Sequence, residues 1–238
     1  MKITIGHLYP DLLNLYGDRG NIQCMKKRCE WRGIEAEVKE FQLTDKIDFE
    51  GLDIVLLGGG SDREQMIVCS QLKQIQKDFK SYVEDHGVVL AICGGYQLLG
   101  HYYDTKDGRM EGLSLVDLYT EQGNARLISN IVIENELFSS PIVGFENHGG
   151  RTFINNNKPF GKVRFGVGNN EKDGQEGVMY KNVIGTYIHG PLLPKNPEVC
   201  DHLLAGALER KYGKSELAPL DDRQEKEANQ YIANRFCK

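Results

Sequence analysis

The chain has 238 residues, of which 40% are hydrophobic and 26% are charged, as is usual for a globular protein with a substantial core. Its formal net charge of −5 gives no electrostatic reason to expect a nucleic acid or an anionic membrane as a partner. No apolar run approaches the roughly 20 residues that span a bilayer, and no signal-peptide pattern precedes the first strand. Six scattered cysteines, without the spacing of a disulfide scaffold or a zinc site, predict a reducing, cytoplasmic environment.

The first half of the chain alternates predicted strands with predicted helices. Apolar runs predict strands at 3–8, 34–41, 53–57 and 88–92, and helices are predicted at about 22–32 and 62–85. The second helix has apolar residues at every third or fourth position from Met66 to Tyr82, a stripe that would pack on a sheet. This order predicts right-handed βαβ units and therefore an α/β, flavodoxin-like fold with a mainly parallel central sheet and helices on both faces.

Beyond residue 105 the pattern changes to short strands separated by Gly, Asn and Asp turns, which predict an antiparallel extension. These strands are predicted at 113–118, 126–133, 142–145, 162–167 and 178–180.

The last part of the chain begins with a predicted strand at 183–188, and a helix at 197–212 then closes the core. Because no linker or repeat interrupts the chain, we predict one domain over 1–212. A charged helical segment at 213–238 would pack on that domain or extend from it, either solvated or docked on a partner.

The turn at Cys93 is the most informative stretch of the sequence. It follows a buried strand, and the small residues Ala91 and Gly95 on either side permit a sharp strand-to-helix turn. A thiol at the start of a helix faces the positive end of the helix dipole, which favours the thiolate. We therefore predict that Cys93 is a nucleophile; the alternative is a buried cysteine at the end of a core strand.

Three loops should lie at the carboxyl edge of the sheet, where open α/β folds bind ligands. They are the glycine run at 58–60, the Cys93 turn and the segment after strand 183–188. Together they predict thiol acyl transfer, in which Cys93 attacks and His189 takes and returns the proton. His148 is the other histidine that could act as base, but it more plausibly orders a substrate loop.

Backbone N–H groups near the cysteine are the predicted oxyanion donors. One is Gly94, next to the nucleophile, and the other is Gly59 or Gly60, where the backbone can approach a substrate carbonyl closely. The glycine run lacks the motif of a P-loop and the spacing of a dinucleotide fingerprint. The alternative for this run is a turn that binds no ligand.

Several segments carry a family resemblance. The stretch Cys-Gly-Gly-Tyr-Gln-Leu-Leu-Gly that starts at Cys93 resembles the cysteine turn of class I, triad-type glutamine amidotransferases. Gly-Thr-Tyr-Ile-His-Gly around His189 and Gly-Phe-Glu-Asn-His-Gly-Gly around His148 resemble the cobyric acid synthase-like branch. Residues 14–21 and 58–65 resemble GatD, the family of small glutaminase subunits of lipid II isoglutaminyl synthase.

This resemblance implies that the chain releases ammonia from L-glutamine through a thioester on Cys93. The ammonia would pass to a Mur-ligase-like partner, MurT, in a heterodimer. That partner would bind ATP and Mg²⁺ and amidate D-glutamate to D-isoglutamine in the peptidoglycan precursor lipid II. No cofactor and no metal are expected in this chain.

Three other functions remain open from the sequence. The chain could be the glutaminase subunit of a cobyric acid-like cofactor pathway, with the same nucleophile but a different synthetase. It could also be a module that binds glutamine or docks a ligase without turnover. A DJ-1-type cysteine hydrolase would need an acid beside the thiol and no arginine for glutamine.

Glutamine must be held by its α-carboxylate, and an arginine can do so with two parallel hydrogen bonds. Arg126 resembles the family's substrate arginine, whereas Arg109 and Arg151 are weaker candidates. Gln97 matches the superfamily position that contacts glutamine, and Asn147 and His148 are the remaining predicted substrate-binding residues.

The third member of the expected triad is missing. Relatives place a glutamate two residues after the histidine, where this chain has Pro191. The site could therefore be a Cys–His dyad, or the acid could be Glu146 or come from the partner. Because this acid is missing, we predict that the partner completes or orders the site.

Overall fold

The computed structural model describes residues 1–237, apart from the side chain of Tyr16. Its strands are β1 (Lys2–Leu8), β2 (Glu35–Phe41), β3 (Ile54–Leu57), β4 (Val88–Ile92), β5 (Tyr102–Thr105), β6 (Gly108–Glu111), β7 (Tyr119–Glu134), β8 (Ile142–Phe153), β9 (Gly161–Phe165), β10 (Gln175–Glu176), β11 (Val178–Tyr180), β12 (Val183–Thr186) and β13 (Ile188–His189). Its α-helices are α1 (Arg19–Glu30), α2 (Asp62–Gln74), α3 (Gln76–Glu84), α4 (Gly94–Leu98), α5 (Leu192–Lys195), α6 (Pro197–Tyr212) and α7 (Arg223–Phe236).

The first sheet has the strand order β11-β12-β4-β3-β1-β2, and each of its pairings is parallel except that of β11 with β12. All residues of β3 and β4 are buried, which explains why these strands are unbroken apolar runs. The order β2-β1-β3-β4-β12 is that of a flavodoxin-like doubly wound sheet. The predicted α/β class with a mainly parallel sheet is confirmed.

The direction of the connections places helices on both faces of this sheet. From β1 the chain crosses to β2 on one side, and from β3 it crosses to β4 on the other side. Since parallel crossovers are right-handed, α1 must lie on the opposite face from α2 and α3. The strand order reverses between β1 and β3, and the crevice at their carboxyl ends is where such folds bind ligands.

The second sheet is mostly antiparallel and is built around the hairpin of β7 and β8. On one side it continues through β9 to β10, and on the other through β5 to β6. Its short strand β13 pairs with β8, so that His189 lies opposite Phe145. The predicted antiparallel extension is confirmed, although β7 and β8 are longer than predicted.

The prediction of a single helix at 62–85 is wrong, because this segment forms two helices. Ser61 caps α2 through a capping box, and the helix ends at Ile75, where the backbone leaves helical geometry and α3 begins. The predicted apolar stripe is nevertheless confirmed from Cys69 to Tyr82, because the buried residues of both helices belong to one core cluster and Ile75 packs against it. Met66 is 45% exposed, while Gln65 and Val68 are buried in its place.

Two predicted strands also differ from the structure. Residues 113–118 form a loop rather than a strand, because Leu113 and Leu115 bond to carbonyls at the end of α4 and do not join a ladder. Strand 183–188 is interrupted at Tyr187, whose N–H donates to the carboxylate of Glu176. The interruption moves the chain from the first sheet, through β12, to the second sheet, through β13.

The charged C-terminal segment is helical over α7, and this helix packs on the second sheet. Ala233 is buried against Val132 and Val143, and Phe236 stacks on Phe165 at 4.8 Å between ring centroids. The division into a domain over 1–212 and a segment over 213–238 stays a prediction, and Lys238 lies outside the described residues. Within residues 1–237, no helix has the length and apolarity needed to cross a membrane.

Candidate active site

Four segments meet at the carboxyl ends of the parallel strands. They are the loop between β1 and α1, which contains Asp18, the glycine run at 58–60 after β3, the turn at Cys93 after β4, and His189 in β13. The first two flank the point where the strand order reverses. The site therefore lies where the topology of the sheet predicts one.

The backbone at Cys93 holds the thiol in a strained turn. Its dihedral angles, φ 50° and ψ −105°, are sparsely populated for a residue with a side chain. A hydrogen bond from the Cys93 N–H to the Thr186 carbonyl, 2.8 Å long, fixes the turn against β12. Position 95 has no room for a side chain, because a methyl group on Gly95 would lie 2.5 Å from the Leu57 carbonyl oxygen. The surrounding chain thus enforces a geometry like that of a nucleophile elbow.

The side chains of Cys93 and His189 meet at Gly59. A methyl group on Gly59 would lie 3.3 Å from Cβ of Cys93 and 3.4 Å from Cε1 of His189. The same point is 3.6 Å from Oδ2 of Asp18. Three side chains from three different segments of the chain therefore surround one α-carbon that has no side chain of its own.

The thiol and the imidazole are both neutral in this resting geometry. Burial, and next the charge of Asp18, raise the pKa of Cys93 to about 12. Burial, followed by His148 and Arg126, lowers the pKa of His189 to about 3. The sequence led us to expect a thiolate at a helix N-terminus, but α4 has only five residues and burial outweighs its dipole.

Hydrogen bonds hold the glycine run in place. The Gly59 N–H donates to Oδ2 of Asp18 at 2.8 Å, and the Gly59 carbonyl accepts from Leu15 N–H at 3.0 Å. The side-chain amide of Gln65 donates to the Gly60 carbonyl at 3.1 Å. The predicted donor Gly59 is therefore engaged by a carboxylate.

The other predicted oxyanion donors lie beside the thiol. The N–H of Gly94 is directed at the sulfur of Cys93 and counteracts the rise of its pKa. Gly60 lines the cavity next to Cys93. The geometry thus favours Gly94 and Gly60 as donors in this state, since Gly59 would first have to leave Asp18.

A cavity of about 480 Å³ opens at Cys93, within the usual size range for a small-molecule site. The predicted residues Gln97, Arg126, Asn147 and His148 all line it. Its wall also includes Leu15, Gly60, Ser61, Asp62, Gln65, Tyr103, Lys106, Gln122, Gly123, Asn124, Ala125 and Gly149. Within residues 1–237, no group of three or more His, Cys, Asp or Glu side chains is placed to hold a metal ion.

Arg126 is oriented by Asn147. Its Nε donates to Oδ1 of Asn147 at 2.8 Å, and its Nη2 donates to the backbone carbonyl of the same residue at 3.0 Å. A guanidinium has five N–H donors, so this contact fixes its plane and leaves capacity for a carboxylate. The weaker candidates Arg109 and Arg151 are paired with Asp104 and Glu171.

Gln97 and His148 belong to a buried network around Tyr187. The ring of His148 stacks on that of Tyr187 with centroids 3.6 Å apart. The Gln97 amide donates to the Tyr187 hydroxyl at 3.1 Å, and Nδ1 of His148 lies 2.8 Å from the Gly150 carbonyl oxygen. These contacts fix both side chains at the cavity wall.

Glu146, one predicted source of the third acid, has its carboxylate engaged elsewhere. One oxygen accepts from the Val167 N–H at 2.6 Å and the other from the Gly168 N–H at 2.8 Å. The second oxygen also lies 3.8 Å from Nε2 of His148. Glu146 thus anchors a loop beside His148.

The sequence did not assign a role to several residues that the structure brings to the site. Asp62, Tyr103 and Lys106 line the cavity, and Asp18 lies at Gly59. Asp18 could have been identified by its position, because the loop after β1 adjoins the point where the strand order reverses. Tyr103 gave no such signal, since long-range pairing of β5 with β7 brings it to the cavity.

Comparisons with known proteins show which family the chain resembles in sequence and in fold. The profile of the CobB/CobQ-like glutamine amidotransferase domain matches residues 4–197. The chain is 47% identical to the GatD subunit of lipid II isoglutaminyl synthase (glutamine-hydrolyzing) from Staphylococcus aureus, over 98% of this chain and 96% of that protein. It is 46% identical to the corresponding subunit from Streptococcus pneumoniae, over 89% and 83%. A crystal structure of a glutamine amidotransferase shares the fold at 17% identity and a TM-score of 0.54, over 85% of this chain and 98% of that one.

Proposed function

Because the chain belongs to the CobB/CobQ-like glutamine amidotransferase family, we propose that it is the glutaminase subunit of a lipid II isoglutaminyl synthase. The observation that carries the proposal is that Cys93 and His189 face the same point at Gly59. Beside that point lies a cavity with an oriented arginine. A nucleophile, a base and a carboxylate anchor are the three parts that glutamine hydrolysis needs.

In the first half of the reaction, Cys93 attacks the side-chain amide carbon of glutamine. His189 takes the proton of the thiol as the sulfur–carbon bond forms, and then gives it to the departing nitrogen. The C–N bond breaks, so the products are ammonia and a glutamyl thioester on Cys93. The N–H groups of Gly94 and Gly60 stabilise the oxyanion between these two events.

In the second half, His189 removes a proton from water, and the oxygen attacks the thioester. Collapse of this second tetrahedral intermediate returns the thiol of Cys93 and releases glutamate. Arg126 holds the α-carboxylate of the substrate in both halves, and Asn147 keeps the guanidinium in the required plane. Gln97 and His148 contact the rest of the glutamine.

The ammonia passes to a Mur-ligase-like partner, MurT, which forms a heterodimer with this chain. That partner would bind ATP with Mg²⁺ and phosphorylate the α-carboxylate of D-glutamate in lipid II, and ammonia would then displace the phosphate to give D-isoglutamine. The 47% identity to a GatD subunit over nearly its whole length supports this substrate over a cobyric acid-like pathway. The chain would work where lipid II is made, on the cytoplasmic side.

A DJ-1-type hydrolase is the alternative that one observation favours, since Asp18 places an acid beside Cys93. Such an enzyme has no use for an arginine held in plane at the cavity wall. The family match and Arg126 together support glutamine as the substrate. Substitution of Arg126 separates the two functions, because a DJ-1-type activity would survive it.

The test is ammonia release from L-glutamine by the complex of this chain with its Mur-ligase-like partner. The wild-type complex should release ammonia and, with ATP and lipid II, form the D-isoglutamine product. Cys93→Ser should abolish ammonia release, while external ammonium chloride should still support amidation by the partner. A module that binds glutamine without turnover would show no ammonia release even as wild type.

Cys69→Ser is the matched control. Cys69 is also buried, but it lies in α2 and is not part of the cavity wall, and its thiol donates to the Glu111 carbonyl. This variant should retain ammonia release. Equal loss in both variants would indicate that removal of a buried thiol harms the fold, and the nucleophile assignment would then be wrong.

A further inference from the structure

Asp18 is a buried acid whose hydrogen bonding is half complete. It is 0% exposed, and its Oδ2 accepts the Gly59 N–H at 2.8 Å. Its Oδ1 is buried without a hydrogen-bond partner among the described residues. Burying a carboxylate oxygen without a hydrogen bond lowers the free energy of unfolding. Its position next to Cys93 and His189 therefore suggests a functional role.

The loop that carries Asp18 is wedged between the glycine run and the segment after His189. Gly20 packs directly against the ring of Pro191, and the side chain of Asn21 accepts the Leu193 N–H at 2.9 Å. Asp18 is therefore held in the same layer as His189. Pro191, which follows the histidine, contributes no acid of its own to that layer.

Chemistry at this site requires a counter-charge. When His189 takes the thiol proton it becomes an imidazolium in a buried environment, and an anion nearby lowers the free energy of that state. Glu146 is bound to Val167 and Gly168, and Glu176 is bound to Thr186 and Tyr187. Of these three buried acids, Asp18 is the one with a carboxylate oxygen, Oδ1, that accepts no hydrogen bond from the described residues.

We propose that Asp18 is the positioning acid of the catalytic pair. One of its oxygens fixes the Gly59 backbone, and the other compensates the charge that His189 acquires. The step moves a single proton from the sulfur of Cys93 to the imidazole and back, so no further reactant is needed. This inference rests on the proposed glutaminase function and supplies, within one chain, the acid that the sequence left unassigned.

The pH dependence of the reaction follows from the state of this carboxyl group. Burial raises the pKa of Asp18 to about 7, although the Gly59 hydrogen bond opposes the rise. The carboxylate therefore forms as pH increases through about 7, and kcat/KM should rise over the same range. The titratable and charged groups of the surrounding segments are Cys93, His189, His148, Arg126 and Asp62 at the site, with His7 on β1 and Arg19 and Asp11 on the loop of Asp18 itself.

The experiment compares Asp18→Asn with Asp18→Ala in the complex with the Mur-ligase-like partner. Asn keeps an acceptor for the Gly59 N–H but removes the charge, whereas Ala removes both. We expect both variants to lower kcat by about 10²–10⁴-fold with KM nearly unchanged, and to lose the rise of kcat/KM near pH 7. Asp11→Asn is the control, because this exposed acid on the same loop pairs with Arg19, and it should retain activity.

Other results would overturn the inference. If Asp18→Asn were as active as wild type and only Asp18→Ala were impaired, the carboxyl group would merely hold the loop. If both were fully active, the partner would supply the acid. Glutamine should raise the melting temperature of a Cys93→Ser, Asp18→Asn double variant. If it does not, the lower kcat of Asp18→Asn comes from impaired folding or binding, and the inference is refuted. An inactive wild-type complex would refute the proposed function itself.

Discussion

The amino and carboxyl edges of the parallel sheet differ in the environment of their ionisable groups. At the amino edge, charged residues are paired: Lys211 with Asp53 at 2.7 Å, Arg210 with Asp85 at 2.8 Å, and Lys2 with a glutamate on β2 at 3.0 Å. At the carboxyl edge, Cys93, His189 and Asp18 are buried, and their pKa values depart far from the usual ones. Both edges have cavities of several hundred Å³.

Cavity volume alone therefore does not distinguish the active edge of this fold. Burying an ionisable group lowers the stability of the folded chain, and such groups persist where chemistry requires shifted pKa values. Paired charges near the surface stabilise by at most about 1 kcal/mol each and do not prepare a reaction. The contrast predicts that changes at the carboxyl edge alter turnover, whereas changes at the amino edge alter stability.

The largest expected effect on turnover after removal of the nucleophile is from His189→Asn. Asparagine cannot accept and return the thiol proton, so kcat for ammonia release should fall by about 10²–10⁴-fold. The matched control is His86→Asn at the amino edge, where the exposed residue has φ 58°, a conformation that asparagine tolerates. Equal activity of the two variants would contradict the assignment of His189 as the base.

Arg126→Lys should mainly weaken substrate binding. A lysine cannot form the two parallel hydrogen bonds of a guanidinium, so KM for glutamine should rise by about 10–100-fold with a smaller change in kcat. Arg109→Lys is the control, because Arg109 pairs with Asp104 outside the cavity wall. Steady-state kinetics of the two variants decide whether the cavity at the carboxyl edge recognises a carboxylate at Arg126.

Gly59→Ala tests how tightly the carboxyl edge is packed around the reaction. The added methyl group would lie 3.3 Å from Cβ of Cys93, which should displace the thiol or the imidazole and lower kcat by about 10–100-fold. At Gly51 the nearest atom to an added methyl group is 3.7 Å away, so Gly51→Ala should retain full activity. A fully active Gly59→Ala variant would mean that the two side chains do not meet there.

The smallest effect is expected at the amino edge, from Lys211→Met. This change leaves the nearly buried carboxylate of Asp53 without its cation, although the Thr4 N–H still donates to it. The free energy of unfolding should decrease by roughly 1 kcal/mol, while kcat and KM stay unchanged. Lys214→Met, at an exposed position, is the control for both measurements. A change in turnover with Lys211→Met would contradict the division between the two edges.

Local patterns in the sequence were sufficient to predict the parallel sheet and the position of its loops. Short apolar runs such as β3 and β4, which are bounded by glycine and polar residues, are typical of buried parallel strands, and the small residues around Cys93 predict the turn. Because the carboxyl ends of parallel strands share one edge, the approach of His189 to Cys93 could be expected from the strand order. The helix break at Ile75 could not, since an apolar stripe continues through it.

The electrostatics of the site depend on tertiary contacts and could not be predicted. Asp18 lies in a polar, glycine-containing loop whose carboxylate would ordinarily be solvated, and it becomes buried because the loop closes against Pro191 and Gly59. The same closure raises the pKa of Cys93, opposite to the direction expected from a helix N-terminus. Sequence reasoning brought Cys93 and His189 together as candidates but could not predict the environment that sets their charge.

The pairing of β13 with β8 determines where the imidazole of His189 lies relative to the first sheet. Cys93 directly follows β4 of the first sheet and His189 lies in β13 of the second, so both sheets are needed to bring the thiol and the imidazole together. A one-residue slip between β8 and β13 would turn the imidazole to the opposite side of its ribbon and leave every element of secondary structure intact. Ammonia release therefore depends on the correct register between the two sheets, and a folded chain with the wrong register would release no ammonia.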